Sequence, residues 1–184
     1  MIKNKIVITT FLGVLLLNYF SCTKPVDFNQ ANTLVLEPVV ESSLIFYEAS
    51  AKDFFLGGSE ESVAEDFIEI DFFNNSFVQD NLVKAEFVFN IENSINRGYQ
   101  LHISFLDNAN QLLERFTVNT SASANNNIIK TTHTEVFEGE TLQRIKRSRI
   151  LVFTLVMLPG EAINADTPGE ISVQSKGIFS LNIN

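Results

Sequence analysis

From residue 34 onward the chain alternates apolar and polar positions with a period of two, the signature of strands with one buried face. Leu34–Val40 reads as a first strand, with Pro38 placing it at a sheet edge or a bend, and Ser43–Glu48 as a second. In 66–73, Ile68, Ile70 and Phe72 point one way while Glu69 and Asp71 point the other. Ala85, Phe87, Phe89 and Ile91 repeat the pattern, as do Leu101, Ile103 and Phe105, and then Phe116 and Val118. Asp107–Asn110 and Asn125–Asn127 are turns, because Asp and Asn tolerate turn geometry. Ile128–Phe137 is a further strand. Within 139–148 the alternation fails, and Leu142 and Ile145 sit three apart among polar residues, which predicts one short helix. Residues 149–158 are almost continuously apolar and suit a central strand, and Glu170–Asn182 supplies the last one. The sum is an all-β, antiparallel β-sandwich of eight or nine strands with at most one short helix. Its predicted core includes Ile70, Phe87, Phe89, Ile103, Phe105 and Phe153.

The first twenty residues follow a different pattern. Met1–Lys5 is short and basic, and Ile6–Phe20 is an apolar run. Fifteen helical residues span about 22 Å, short of the roughly 30 Å hydrocarbon core, so the run fits the apolar region of a cleaved export signal. It ends at Cys22, the single Cys of the chain. An exported protein usually keeps Cys in pairs, so a lone one directly after an apolar run reads as a modification site. The stretch Tyr19-Phe20-Ser21-Cys22 resembles the lipobox of bacterial lipoproteins, in which a small residue precedes the lipidated Cys; Ser21 fits it, whereas Tyr19 and Phe20 stand where Leu and a small residue are usual. The resemblance implies cleavage after residue 21, lipid on Cys22 and membrane attachment through that lipid. Residues 1–21 are then a signal peptide, 22–33 the lipidated Cys and a tether, and 34–184 a single β-sandwich domain.

Two broader resemblances follow. The stretch Ala85–Val118 resembles the middle hairpins of immunoglobulin-like bacterial envelope domains, over about a fifth of the chain. With its 19 Asn and its Cys-Thr-Lys-Pro start, the whole chain resembles envelope lipoproteins of Bacteroidota. That likeness implies an immunoglobulin-like sandwich. It also implies a location: surface-exported lipoproteins of that group carry acidic residues directly after the Cys. Here Thr23-Lys24-Pro25-Val26-Asp27 puts a cation first, which implies an outer-membrane lipoprotein facing the periplasm.

Composition narrows the function classes. The formal charge is −9, and without Lys3 and Lys5 the mature part carries 11 basic against 22 acidic side chains. A surface of that sign repels phosphate, so nucleic acid is not an expected partner. Seventeen Phe and no Trp describe a core filled with Phe and few aromatics left for recognition.

No arrangement of catalytic, cofactor-binding or metal-ligating residues stands out. His102 and His133 are isolated on strands, without the neighbouring ligand or nucleophile that zinc or acid–base chemistry requires. Six carboxylates fall in the twelve residues 60–71, which reads as a solvated acidic face, with a calcium site as the sharper reading. Asp53-Phe-Phe-Leu-Gly-Gly58 reads as a short core strand and turn, or as an exposed apolar loop that contacts a partner. The basic cluster Arg144, Lys146, Arg147 and Arg149 either ends the helix or forms a contact surface for headgroups or an acidic partner. The expectation is a non-enzymatic, membrane-anchored lipoprotein acting through protein contacts, an accessory subunit of an outer-membrane or periplasmic assembly with an envelope protein as partner. The alternatives are a sandwich module binding a glycan or other envelope component, and a hydrolase with a dispersed site.

Overall fold

The computed structural model describes residues 35–183, which belong to one compact unit, Val35–Asn184. Residues 1–21, Cys22 and the tether to residue 33 lie outside the described residues.

Ten strands are present in these residues: β1 (Val39–Ser50), β2 (Phe55–Leu56), β3 (Ser59–Glu60), β4 (Val63–Glu69), β5 (Leu82–Asn93), β6 (Tyr99–Leu106), β7 (Leu112–Thr120), β8 (Ile129–Phe137), β9 (Ile150–Met157) and β10 (Glu170–Leu181). Two short helices, α1 (Ser76–Asn81) and α2 (Gly139–Ile145), interrupt them. Eight strands form two four-stranded antiparallel sheets, ordered β1-β10-β5-β8 and β4-β9-β6-β7; β2 and β3 make a small hairpin. The all-β sandwich read from alternation is the architecture found.

Its connectivity corrects the immunoglobulin-like expectation. An immunoglobulin sandwich splits its strands ABED and CFG. Here β1 pairs with β10, β4 with β9, β5 with β8 and β6 with β7, a nested series that describes one long antiparallel ribbon wound up from its β6–β7 tip. Every link between consecutive long strands except β6–β7 crosses from one sheet to the other, which is the jelly-roll arrangement. Alternation tells which face of a strand is buried and carries no information on which strand lies beside it, so the two topologies read alike in sequence.

Between the sheets lies the Phe-rich core. Phe87, Phe105 and Phe137 meet edge to face, with ring centroids 5.2 to 5.6 Å apart. Phe87, Phe89, Ile103, Phe105 and Phe153 are all buried. Ile70 is half-buried, at the rim of the core. Strand β4 ends at Glu69, and a 3-10 turn at Phe72–Asn74 breaks the alternation and inserts Phe73, which is fully buried, in place of Phe72. α1 follows, its first turn capped by Asn75, whose Oδ1 accepts the Phe77 N–H at 2.9 Å.

The remaining differences are local. The two N-terminal strands expected from sequence are one strand, β1, whose register slips between Ser43 and Phe46. Pro38 stands just ahead of it, on an edge strand, where a missing N–H costs no ladder bond. Among the described residues there are two short α-helices, not one at most; α2 is the one anticipated, and it buries Leu142 and Ile145 as their spacing implied. The Gly57-Gly58 pair turns the β2–β3 hairpin with φ of +61° and +88°, values that favour glycine.

Candidate contact surface

The outer faces of the two sheets differ in chemistry. On β1-β10-β5-β8 the outward residues are largely polar and tied by ion pairs: Lys84–Glu86 at 3.1 Å, Lys130–Glu92 at 2.6 Å and Lys176–Glu41 at 2.9 Å, with Phe46, Val88, Val136 and Ile178 interspersed.

On β4-β9-β6-β7 the outward residues of β4 and β9 are mostly apolar, while β6 and β7 turn out Gln100, His102, Ser104, Arg115, Thr117 and Asn119. Leu151, Phe153, Leu155 and Met157 of β9 turn into the core, so Ile150, Val152, Thr154 and Val156 turn out. The continuous apolar run of β9 is therefore a strand with two apolar faces, of which one belongs to the sheet exterior. Register sets its neighbours: Val63 lies beside Val156, Phe67 beside Val152, and Leu106 and Leu112 continue the row of Ile150. Phe67 is 61% exposed and Val63 54%. Leu112 is exposed as well. Exposed apolar side chains clustered on the β4–β9 half of an open sheet face are the kind of patch that marks a protein interface. His102 lies within this face, its Nδ1 2.8 Å from Thr117 Oγ1. Arg115 donates from Nε to Ser104 Oγ at 2.8 Å.

Along one side of the sandwich the two free edge strands, β1 and β4, leave a cleft of about 200 Å³ between the sheets. Ile45, Tyr47, Leu101, Phe153, Leu155 and Val173 line it, and it exists because two of the three inward positions of β4 hold Ala64 and Asp66, the third being Ile68. Burial, and secondarily the Asp53 carboxylate, raise the Tyr47 hydroxyl pKa above its ordinary value.

The basic cluster does not form one surface. Lys146 is buried, and its Nζ donates to the Gln79 carbonyl at 2.8 Å while the Gln79 amide donates to the Lys146 carbonyl at 2.8 Å. That burial lowers the lysine pKa, with Asp80 opposing the shift. Arg144 donates from Nε and an η nitrogen to Glu114 Oε2 at 2.9 and 2.7 Å, tying α2 to β7. Arg149 donates to the Ser148 carbonyl at 2.7 Å, and Arg147 is exposed. Helix geometry separates the four: the position after Ile145 faces the interior, which a run of cations in sequence does not reveal.

The acidic stretch is likewise divided. Glu60 accepts from Arg97 at 3.0 Å, Glu65 accepts from Thr154 Oγ1 at 2.9 Å, and the Asp66 carboxylate takes the backbone N–H of Phe67 at 2.8 Å. Among the described residues no group of three metal-ligating side chains comes together. His133 pairs with Glu135 at 3.0 Å and stacks on Phe116. Asp53-Phe-Phe-Leu-Gly-Gly58 is split between core and surface, with Phe54 buried and Leu56 exposed.

Sequence reading missed two polar groups that organise the loop end of the sandwich. Arg97, only 6% exposed, donates to Glu60 and to the carbonyls of Leu158 and Glu161. Asn93, fully buried, donates to the carbonyls of Arg97 and Ser121 and accepts from the Ile95 N–H. A polar residue at an apolar position of the β5 alternation was the available signal for Asn93.

No protein-family model matches the sequence, and none of the curated proteins does. Solved structures resemble the fold at low identity. One is a protein of Parabacteroides distasonis inferred to be secreted, with 14% identity, a TM-score of 0.45 and coverage of 62% of this chain and 36% of that one. Another is the infectious bursal disease virus T13 particle, with 8% identity, a TM-score of 0.44 and coverage of 80% and 39%. A third is desmodium yellow mottle tymovirus, with 9% identity, a TM-score of 0.32 and coverage of 81% and 90%. The chain thus spans little more than a third of the length of the first two. No helix among the described residues is long and apolar enough to cross a membrane.

Proposed function

We propose that this protein is a non-enzymatic lipoprotein, anchored through lipid on Cys22, that works by protein contact as an accessory subunit of an outer-membrane or periplasmic assembly. One observation carries the reading: the outer face of the β4–β9 pair presents Val63, Phe67, Ile150, Val152 and Val156, with Glu65, Thr154 and Glu69 among them, while the exterior of the opposite sheet is crossed by ion pairs. The anchor and the periplasm-facing location rest on the sequence around Cys22. A tether of about ten residues reaches at most roughly 35 Å when extended, so the domain works close to the bilayer.

A photo-crosslinking residue placed at Val152, and separately at Thr132 on the opposite sheet, tests the contact. In intact cells the Val152 position gives a discrete crosslinked protein species that the Thr132 position lacks. Equal or absent crosslinking at both would remove the reading.

A second reading, a module that binds a glycan or another envelope component, is favoured by one feature. Phe46, 66% exposed, stands in register with Gln174, Asn90 and Thr132, an aromatic ring beside a row of hydrogen-bonding groups. Loss of binding to isolated cell-envelope polysaccharide in the Phe46→Ala protein would favour this second reading.

A further inference from the structure

The sheet face accounts for Val63 and Phe67 but leaves the cleft beneath them unused. The inference below rests on the protein-contact reading and adds where one part of a partner binds and what its chemistry is. Among the described residues strand β4 is an edge, paired on one side to β9 only. Its Ile70 N–H and Ser62 carbonyl both point to β9, through bonds to the Arg149 carbonyl and from the Met157 N–H. Backbone groups alternate in direction along a strand, so those of Val63, Glu65, Phe67 and Glu69 point to the open side. One of them, the Phe67 N–H, is covered only by the carboxylate of its neighbour Asp66. An edge that keeps its backbone groups available, above an apolar cleft of about 200 Å³ that its own small side chains fail to fill, is a template for another strand.

Charge decides what that strand carries. β1 and β4, which border the cleft, hold Glu41, Glu48, Glu65, Asp66 and Glu69 and not one Lys, Arg or His. Of the five, only Glu41 is in an ion pair among the described residues. A second copy of this chain would set these carboxylates against one another, which disfavours self-pairing across the edge. A basic segment would neutralise them.

We propose that the β4 edge accepts an extended segment of a partner protein as an added strand. Alternate apolar side chains of that segment enter the cleft over Ala64, and its Lys or Arg residues, on the other face of the added strand, lie against Glu65 and Glu69.

The test uses the full chain in mild detergent and fluorescently labelled peptides about ten residues long, the length of an ordinary strand. The first peptide alternates Val and Lys, the second has Pro at its centre, and the third has Glu in place of Lys; empty micelles give the baseline. The Val/Lys peptide binds saturably, and the Pro and Glu peptides bind at least about tenfold more weakly, because one cannot complete the ladder and the other repels the edge. Ala64→Phe, which fills the cleft, and Glu65→Lys, which reverses an exposed charge on the outer face of β4 without touching the core, each weaken the Val/Lys peptide by a similar factor. Thr132→Lys on β8 leaves it unchanged. Equal binding of the Pro peptide would reduce the interaction to charge alone and overturn the proposal. So would indifference to both β4 variants, self-association of the wild type through the same edge, or failure of every peptide to bind. If the peptides fail while the Val152 crosslink remains, the strand-addition proposal falls and the contact reading stands.

Discussion

Arg97 and Glu60, 37 residues apart in sequence, meet at 3.0 Å, and the guanidinium is almost wholly withdrawn from solvent. The same Glu60 oxygen accepts the Ile163 N–H, and Arg97 also holds the carbonyls of Leu158 and Glu161. Three loops at one end of the sandwich are thereby fastened to one side chain. Removing one partner of a buried pair leaves the other uncompensated, at a cost of about 3 kcal/mol. Arg97→Met is expected to lose about that much in urea unfolding, and Glu60→Gln at least as much, because it leaves the buried Arg97 guanidinium without its counter-charge. Unfolding midpoints equal to wild type in both would contradict this account of the loop end.

Tyr99 presents the opposite case. Its ring packs on Phe54 at 5.4 Å, but its hydroxyl is buried without a hydrogen-bond partner among the described residues. Burial raises its pKa well above the ordinary value of 10.0, with Arg97 opposing the shift. Below pH 10 both folded and unfolded states keep the proton; above it only the unfolded state releases it, so stability falls as pH rises past 10. Lys146 acts with the other sign: its folded pKa is lowered from 10.5, so stability rises with pH through that interval. Comparing Tyr99→Phe with wild type isolates the tyrosine. The variant is expected to gain about 1 kcal/mol at neutral pH and to lose less stability between pH 10 and 12, measured by chemical unfolding at each pH.

The core makes a direct packing prediction. Phe87 and Phe105 touch at 5.2 Å and both contact Phe137, so truncating either to Ala leaves a cavity between close-packed rings. Each substitution is expected to cost about 3–5 kcal/mol. The double variant should fall short of the sum, since neighbouring residues share the cavity.

Gly169 fixes the entry to β10. Its φ is +104°, and a Cβ there would come within 2.6 Å of the Ser94 carbonyl oxygen, while its own carbonyl accepts the Ala51 N–H at 2.9 Å. Gly169→Ala is expected to cost at least about 2 kcal/mol in thermal or chemical unfolding.

What the sequence made legible was the face of each strand. Phe87, Phe89, Ile103, Phe105 and Phe153 could be placed in the core because period-two alternation reports burial directly. Partnering was not legible, because strands such as β4 and β9 lie some eighty residues apart and nothing local in either records the other. Phe73 took the core place that alternation gave to Phe72, because a 3-10 turn resets the alternation within three residues. At the candidate surface, the apolar run of β9 was visible, but its outward half could be recognised only once Leu151 and Phe153 were known to fill the inward half. The basic cluster misled for the converse reason: Lys146 is close to Arg144 and Arg147 in sequence and turned away from them in space.

The anchor is tested at Cys22. Cys22→Ala is expected to release the protein from membranes, with loss of an acyl mass that the wild type carries. For a periplasm-facing protein, protease added to intact cells leaves the domain undigested until the outer membrane is permeabilised. Unchanged pelleting of the variant, or digestion in intact cells, would contradict the anchor or the location respectively.

The contact face itself is tested most directly by size after mild detergent extraction of the envelope. A double variant, Phe67→Lys with Val152→Lys, places two charges on exposed and half-exposed positions of the β4-β9-β6-β7 exterior without entering the core. The wild type is expected to migrate within a larger assembly on a native gel, and the double variant, with an unchanged circular dichroism spectrum, as a single chain. Identical migration of the two proteins would contradict the claim that this face holds a partner.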